Sequence, residues 1–239
     1  MKTGTLEKTT PRADSAEVEI PLVELEIQGS AWACTACDPS DYSVALGGRI
    51  LVQDPRDPDA EELVPAGEWL AHRFLLGPAW QKGVLWSEVA YSVSRETTEC
   101  LILFDDRENG WAEWVQDEFG PLGPELLFLD NIKIAPEHRG KGLGLIAARG
   151  IIDTFAASDS LVACIPFPLQ FANSDYEADP KQARDYRRSL AKLRSHWGRL
   201  GFRSLKRSSR AWCLSLTKDQ PSVENVLRVY NAGRSAGIR

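Results

Sequence analysis

At 239 residues, 43% hydrophobic and 26% charged with a net charge of −6, the chain can bury a full core as one domain with extensions or with a small annex. The acidic total and the lack of a recognition motif argue against nucleic acid as a partner. No run approaches the roughly 18 apolar residues a membrane span requires, and the polar start lacks the apolar stretch of a secretory signal, so no membrane partner and a cytoplasmic location are expected.

Residues 1–17 read as a flexible polar tail. Val18 to Ile27 alternates as a strand would, and Arg49 to Gln53 is a second strand candidate. Between them lies Cys34-x-x-Cys37, the one close pair among five cysteines. With no second pair it completes no zinc site, so the thiols read as reduced and structural, and no metal is expected. Asp59 to Leu76 and Ala79 to Ser94 read as helices parted by Gly77-Pro78, and Glu99 to Asp105 as a compact apolar strand. Asn109-Gly110 marks a hairpin turn, with Trp111 to Phe119 as the partner strand and Gly120 to Gly123 as the next turn. Leu126 to Ala135 follows as a strand, Leu145 to Ala156 as a helix, and Leu161 to Ile165 as a buried strand. Pro180 to Leu200 reads as a long helix, Phe202 to Leu205 with Ala211 to Leu216 as a closing hairpin, and residues 219–239 as a C-terminal helix or tail.

The most informative stretch joins the strand Leu126 to Ala135 to the helix after it: Arg139-Gly-Lys-Gly-Leu-Gly144. A glycine-rich turn from strand to helix presents bare backbone N–H groups at a helix N-terminus, where a pyrophosphate can bind. Gly140, Gly142 and Gly144 leave room for close approach and tolerate positive φ, and Arg139 and Lys141 add charge. A Walker loop fails, because Gly140-Lys141 is followed by Gly142 and no hydroxyl is placed for magnesium. A dinucleotide loop matches at Gly142, Gly144 and Ala147. Its acidic ribose ligand is missing, however, since the strand Leu161 to Ile165 runs into Pro166, Phe167 and Pro168.

With its flanks, Leu129-Asp-Asn-Ile-Lys-Ile-Ala-Pro-Glu-His-Arg-Gly-Lys-Gly-Leu-Gly144 resembles the acetyl-CoA-binding segment of the GNAT N-acetyltransferase superfamily. Ile132, Ile134, Pro136, Arg139, Gly142 and Gly144 fill the family pattern. Downstream, Trp197-Gly-Arg-Leu-Gly201-Phe202 looks like the family's Tyr-x-x-x-Gly-Phe. The resemblance implies an α/β (α+β) fold in which a central mixed, mostly antiparallel sheet of six to seven strands is flanked by about four helices, in one domain spanning residues 18–218. It also implies acetyl-CoA, or another acyl-CoA, as co-substrate, an amine as acceptor, and strands that splay apart to admit pantetheine. Ile132, Lys133 and Ile134 would offer backbone groups to the pantetheine, and Arg139, Gly140, Lys141, Gly142, Leu143 and Gly144 would hold the phosphates. Pro166 and Pro168, which cannot donate to a ladder, suit the end of pairing.

Acetyl transfer needs a neutral amine, a donor to the carbonyl oxygen and a proton for the leaving thiolate. Asp130, four residues before Ile134, stands where many enzymes of this superfamily carry an acid that accepts the amine proton, and it is the candidate base. Asp105, Asp106, Glu113 and Glu118 fall on the expected hairpin and could draw in a cationic amine, or simply face solvent. The family's tyrosine acid is replaced by Trp197, whose indole cannot exchange a proton at neutral pH; Tyr186, Tyr176 or Cys164 could substitute. Trp197 also belongs to an apolar stripe with Ala183, Tyr186, Leu190, Leu193 and Leu200 that should face the sheet. Residues 181–210 carry 11 Lys/Arg against one acid, a balance of +10, whereas the rest carries −16. That face is either simply solvated, attracts the CoA phosphates, or docks an acidic partner. His138 reads as an exposed turn residue, and His72 and His196 lie on expected helices. A small-molecule amine fits the acids on the acceptor side slightly better than a protein amine. The acceptor, the acyl length and the oligomeric state, a homodimer included, stay open. The competing reading is a non-catalytic module that binds acyl-CoA as a sensor or docking scaffold.

Overall fold

A computed structural model describes residues 21–30, 38–54, 62–205, 210–218 and 220–235; the tail at 1–17 and the pair Cys34 and Cys37 lie outside these. Ten strands and six α-helices follow one another among the described residues. First come β1 (Val23–Leu25), β2 (Gln28–Ser30), β3 (Ser43–Gln53) and β4 (Leu63–Leu75). Then α1 (Leu76–Gln81), α2 (Trp86–Val93), the short pair β5 (Phe104–Asp105) and β6 (Gly110–Trp111), and α3 (Glu113–Phe119) lead to β7 (Glu125–Ile134). After it come α4 (Leu143–Phe155), β8 (Leu161–Cys164), α5 (Pro180–Gly198), β9 (Arg203–Ser204), β10 (Trp212–Ser215) and α6 (Val223–Ser235).

The main sheet runs β1-β3-β4-β7-β8-β10-β9, with β2 also on β3. Every pairing in it is antiparallel except β7 with β8. The parallel pair forces the intervening chain to cross over, and α4 is that crossover. Both faces of β7 are buried. Leu126 and Phe128 enter one core with Phe74, Trp86, Trp111 and Phe119, while Leu127 and Leu129 enter a second with Trp69, Ala147, Ile151 and Ile152. Val226 brings α6 into that second core. No helix among the described residues is long and apolar enough to cross a membrane.

Four expected elements are corrected. The helix placed over 59–76 is, in its described part, the long strand β4. Its buried residues Ala66, Trp69, Ala71 and Phe74 imitate a helical stripe because the strand serves different cores from its two faces. The strand expected over Trp111 to Phe119 is mostly α3. Trp111, Val115 and Phe119 are buried four apart, which is a helical period. The strand over Glu99 to Asp105 is a 3-10 turn, Thr97–Leu103, with only Phe104–Asp105 extended. The second expected helix divides at Lys82-Gly83, with Gly83 at φ 76; Gly77-Pro78, expected to separate two helices, instead lies in the first turn of α1, where proline is tolerated. The Asn109 turn is present, at φ 49, joining β5 to β6.

Phe128, fully buried in the middle of β7, should be among the costliest residues to truncate. Phe128→Ala is expected to lower unfolding free energy by about 3–5 kcal/mol in urea titrations, and a loss under about 1 kcal/mol would contradict the packing described.

Candidate functional site

The parallel ladder between β7 and β8 ends at Leu129↔Cys164, yet β7 continues to Ile134. Beyond Leu129 its register partners are on β4 alone: Leu70↔Asn131, Trp69↔Ile132, Glu68↔Lys133 and Gly67↔Ile134. The register slips at Leu70/Ala71, because Asn131 and Leu129 face consecutive residues of β4 and Asp130 is the extra residue of a β-bulge. Past Cys164 the chain leaves the ladder through the buried prolines Pro166 and Pro168. The sheet therefore parts between β7 and β8, and one edge of residues 130–134 borders the opening.

The glycine-rich turn closes the same end. A 3-10 turn, Pro136–His138, leads into Gly140 and Gly142, at φ 78 and 79. Gly142 is the N-cap of α4 with no capping side chain. The first helical bonds run from Leu145 and Ile146 to the Gly142 carbonyl, at 2.9 and 3.2 Å, so the N–H groups of Leu143 and Gly144 lie ahead of the helix ladder. Leu143 itself is buried against Val52 and Ala66. Its part in any ligand contact is thus confined to the backbone. Lys141 is exposed, while Arg139 folds back, donating from Nε to the Ile134 carbonyl at 2.8 Å. Lys133 points away into an ion pair with Glu68 at 2.9 Å. The side chains of Ile132 and Ile134 pack against the second core.

Two histidines are not where the sequence placed them. His138, expected as exposed, is 9% exposed, and its Nδ1 is buried without a hydrogen-bond partner. A buried unpaired ring nitrogen is costly, and here it sits at the entry to the anion-type loop. His72, expected on a helix, is on β4, and its Nε2 lies 3.9 Å from Asp130 Oδ2. Neither placement could be read from spacing along the chain, since each depends on a register or a turn.

Helix α5 lies across the opening. A Cβ on Gly144 would stand 3.5 Å from His196 Nε2 and 3.7 Å from Ile134 Cγ1, so His196 meets the β7 and α4 rim. Ten residues earlier, a rise of about 15 Å, Tyr186 contacts Phe167 and Phe171 beyond β8, with ring centroids 5.8 and 5.5 Å apart. The expected inward stripe is present, yet α5 contains no fully buried residue. Trp197 is half-buried, stands edge-on to Phe202 at 5.2 Å and packs against the second core.

The substitute acids fare unevenly. Cys164 is 1% exposed, and burial, with Cys100 nearby, holds its thiol well above the ordinary range. Tyr176 and Tyr186 stack at 4.0 Å; burial first, then the hydrogen bond with Tyr176, raises Tyr186. Asp105, Asp106 and Glu113 join Asp117, Phe104 and Trp114 around a cavity of about 610 Å³. Asp130 is not in its lining. Glu113 and Glu118 lie on α3 rather than on a hairpin, and Glu118 instead faces Arg203 at 3.9 Å. Among the described residues no cluster of three His, Cys, Asp or Glu is spaced to hold a metal ion.

Compared with known proteins, the chain matches no family model, no curated protein and no solved structure.

Desolvation, with the Arg199 charge beside it, pushes the His196 imidazole down to about 4. The unfolded chain, titrating near 6.5, then takes up the proton first. Stability contributed by neutral His196 is complete above about pH 6.5 and is lost as pH falls through about 4. Urea midpoints measured across this window should fall toward acid, and His196→Phe should flatten the fall; an equally steep fall in the variant would contradict it.

Proposed function

We propose that the chain is a GNAT-type N-acetyltransferase that transfers acetyl from acetyl-CoA, or another acyl group from its CoA thioester, directly to an amine. One observation carries the reading: β7, parted from β8 beyond Leu129, leads into a left-handed glycine turn that opens α4. The order of strands supports it too, since a mostly antiparallel sheet contains one parallel pair, and that pair flanks the loop. The residues present fit the donor. Backbone N–H groups at Leu143 and Gly144, the dipole of α4 and exposed Lys141 suit a diphosphate. The free edge at 130–134 suits an extended chain bearing amides, as pantetheine does. The half-buried stripe of α5 offers apolar cover over the opening.

The chain's own residues then have modest work. The strand edge and α4 hold the thioester in line, and such positioning supplies much of the acceleration in transfers of this kind. Asp130, 22% exposed by its side chain at the bulge beside the opening, draws in a cationic amine and favours removal of its proton. A donor to the thioester oxygen is available in principle from backbone N–H groups of the free edge. Desolvation beneath α5 strengthens each of these charge interactions. The amine's identity is not written in these groups, though a partly buried carboxylate and the acid-lined cavity on α3 both favour a cationic small molecule.

Calorimetry with CoA, and CoA-thiol release from acetyl-CoA over a panel of alkylamines, arylalkylamines, diamines and a lysine peptide, test the reading. Binding should weaken at least tenfold in Gly142→Val, where φ 79 is strained for a β-branched residue, and Asp130→Asn should lower kcat by about 10²-fold. Failure of the wild-type protein to bind CoA refutes the proposal. Tight binding with no thiol release from any amine establishes the non-catalytic module instead.

A further inference from the structure

The acid position held by Trp197 leaves the proton without a carrier, and the strands supply another. Trp69 and Ala71 of β4 belong to the core beneath α4, so alternation sends His72 to the opposite face with Phe74. On β7, Phe128 lies opposite His72 in register. The bulge then inserts Asp130, and its Oδ2 comes to 3.9 Å from His72 Nε2. The side chains are 13% and 22% exposed, largely shielded from bulk water, and Asp130 directly follows the last β7–β8 ladder pair, Leu129↔Cys164. Among the described residues no side chain hydrogen-bonds the imidazole, and Lys133 and Glu68 are paired with each other.

We propose that His72 takes the proton from the attacking amine, with Asp130 as its orienting partner, and that the same imidazole returns that proton to the leaving thiolate. The inference rests on the acyl-transfer reading above. As the amine nitrogen bonds to the thioester carbon, one N–H proton passes to the imidazole. When the C–S bond breaks, its electron pair stays on sulfur, and the imidazolium supplies the proton that makes the free thiol. Nothing is consumed: one proton moves from nitrogen to sulfur, and His72 ends neutral. Asp130 holds Nε2–H toward itself and stabilises the transient imidazolium, which leaves Nδ1 as the acceptor. A separation of 3.9 Å exceeds hydrogen-bond length, and contacts of this kind commonly tighten only when substrate is bound. Imidazole, which as a class titrates near neutrality, serves both halves of the exchange better than a carboxylate.

The test combines kinetics with a measurement on the resting protein. With acetyl-CoA and whichever amine of the panel releases most thiol, His72→Gln and His72→Ala should each lose 10²- to 10³-fold in kcat, with KM for acetyl-CoA within about threefold. Added imidazole should restore part of the loss in His72→Ala but not in His72→Gln. Independently, 15N resonances of neutral His72 should report the Nε2–H tautomer in the wild type and a mixed population in Asp130→Asn. Variants that keep kcat within threefold of the wild type, or a resting Nδ1–H tautomer indifferent to Asp130, overturn the inference while leaving the acyl-CoA reading standing. A wild type that binds no CoA, or binds it without thiol release, overturns both.

Discussion

One extra residue in one strand governs the candidate site. Through Leu129, β7 is clamped by ladders on both sides and by buried side chains on both faces, so it can neither slide nor tilt. The β8 ladder stops there, and the bulge at Asp130 shifts the pairing with β4 by one residue. β4 continues to hold β7 as far as Gly67↔Ile134, where a Cβ on Gly67 would fall 2.3 Å from the Lys133 carbonyl oxygen, and only glycine allows that approach. The free edge, the placement of Asp130 against His72 and the entry angle of the glycine turn all follow from this asymmetric pairing. A bulge bends and twists its strand, and here the antiparallel pairing with β4 resumes beyond the bulge and holds the bend from one side.

The same asymmetry explains why α5 is so poorly buried for a helix of 19 residues. A helix lying on a continuous sheet buries a full apolar stripe. This one rests on two rims, Phe167 and Phe171 at one end and Gly144 and Ile134 at the other, with parted strands below. Leu200, just past its end, is buried again where the chain returns to the sheet. Its charges belong to the outward face, where Lys181, Arg184, Arg187 and Arg188 are exposed. These cations concentrate positive charge on one helix of a chain whose total is acidic.

The fold is most legible in the sequence where local chemistry dictates geometry. Gly140 and Gly142 are bare because the turn requires positive φ, and that requirement is visible in the residue names. β7, α4, β8, α5 and the closing hairpin were legible because their apolar patterns agree with their turns. The region before β7 misled for a physical reason: β4 alternates between two cores, so its buried positions imitate a helical period, while α3 is short enough to pass for a strand. His72 and His138 were illegible as site residues, since a register shift and a turn brought them in from opposite sides of the bulge.

Trp197 sharpens what such a site must provide. Proton transfer in amide formation from a thioester is a relay from nitrogen to sulfur with no net gain or loss. Two dedicated groups, one basic and one acidic, are therefore a convenience rather than a necessity, provided one group can reach both atoms in turn. Trp197, packed edge-on against Phe202, contributes apolar packing from α5 but no exchangeable proton at neutral pH. A carboxylate alone accepts the proton readily only from a strongly acidic intermediate, which makes it the weaker base for the first half of the exchange. On the proposed reading, an imidazole on the neighbouring strand, steered by that carboxylate across the bulge, would remove the need for a tyrosine. The residue that departs most from the family pattern is thus compatible with chemistry, because the sheet places a second titratable group where the pattern expects only one.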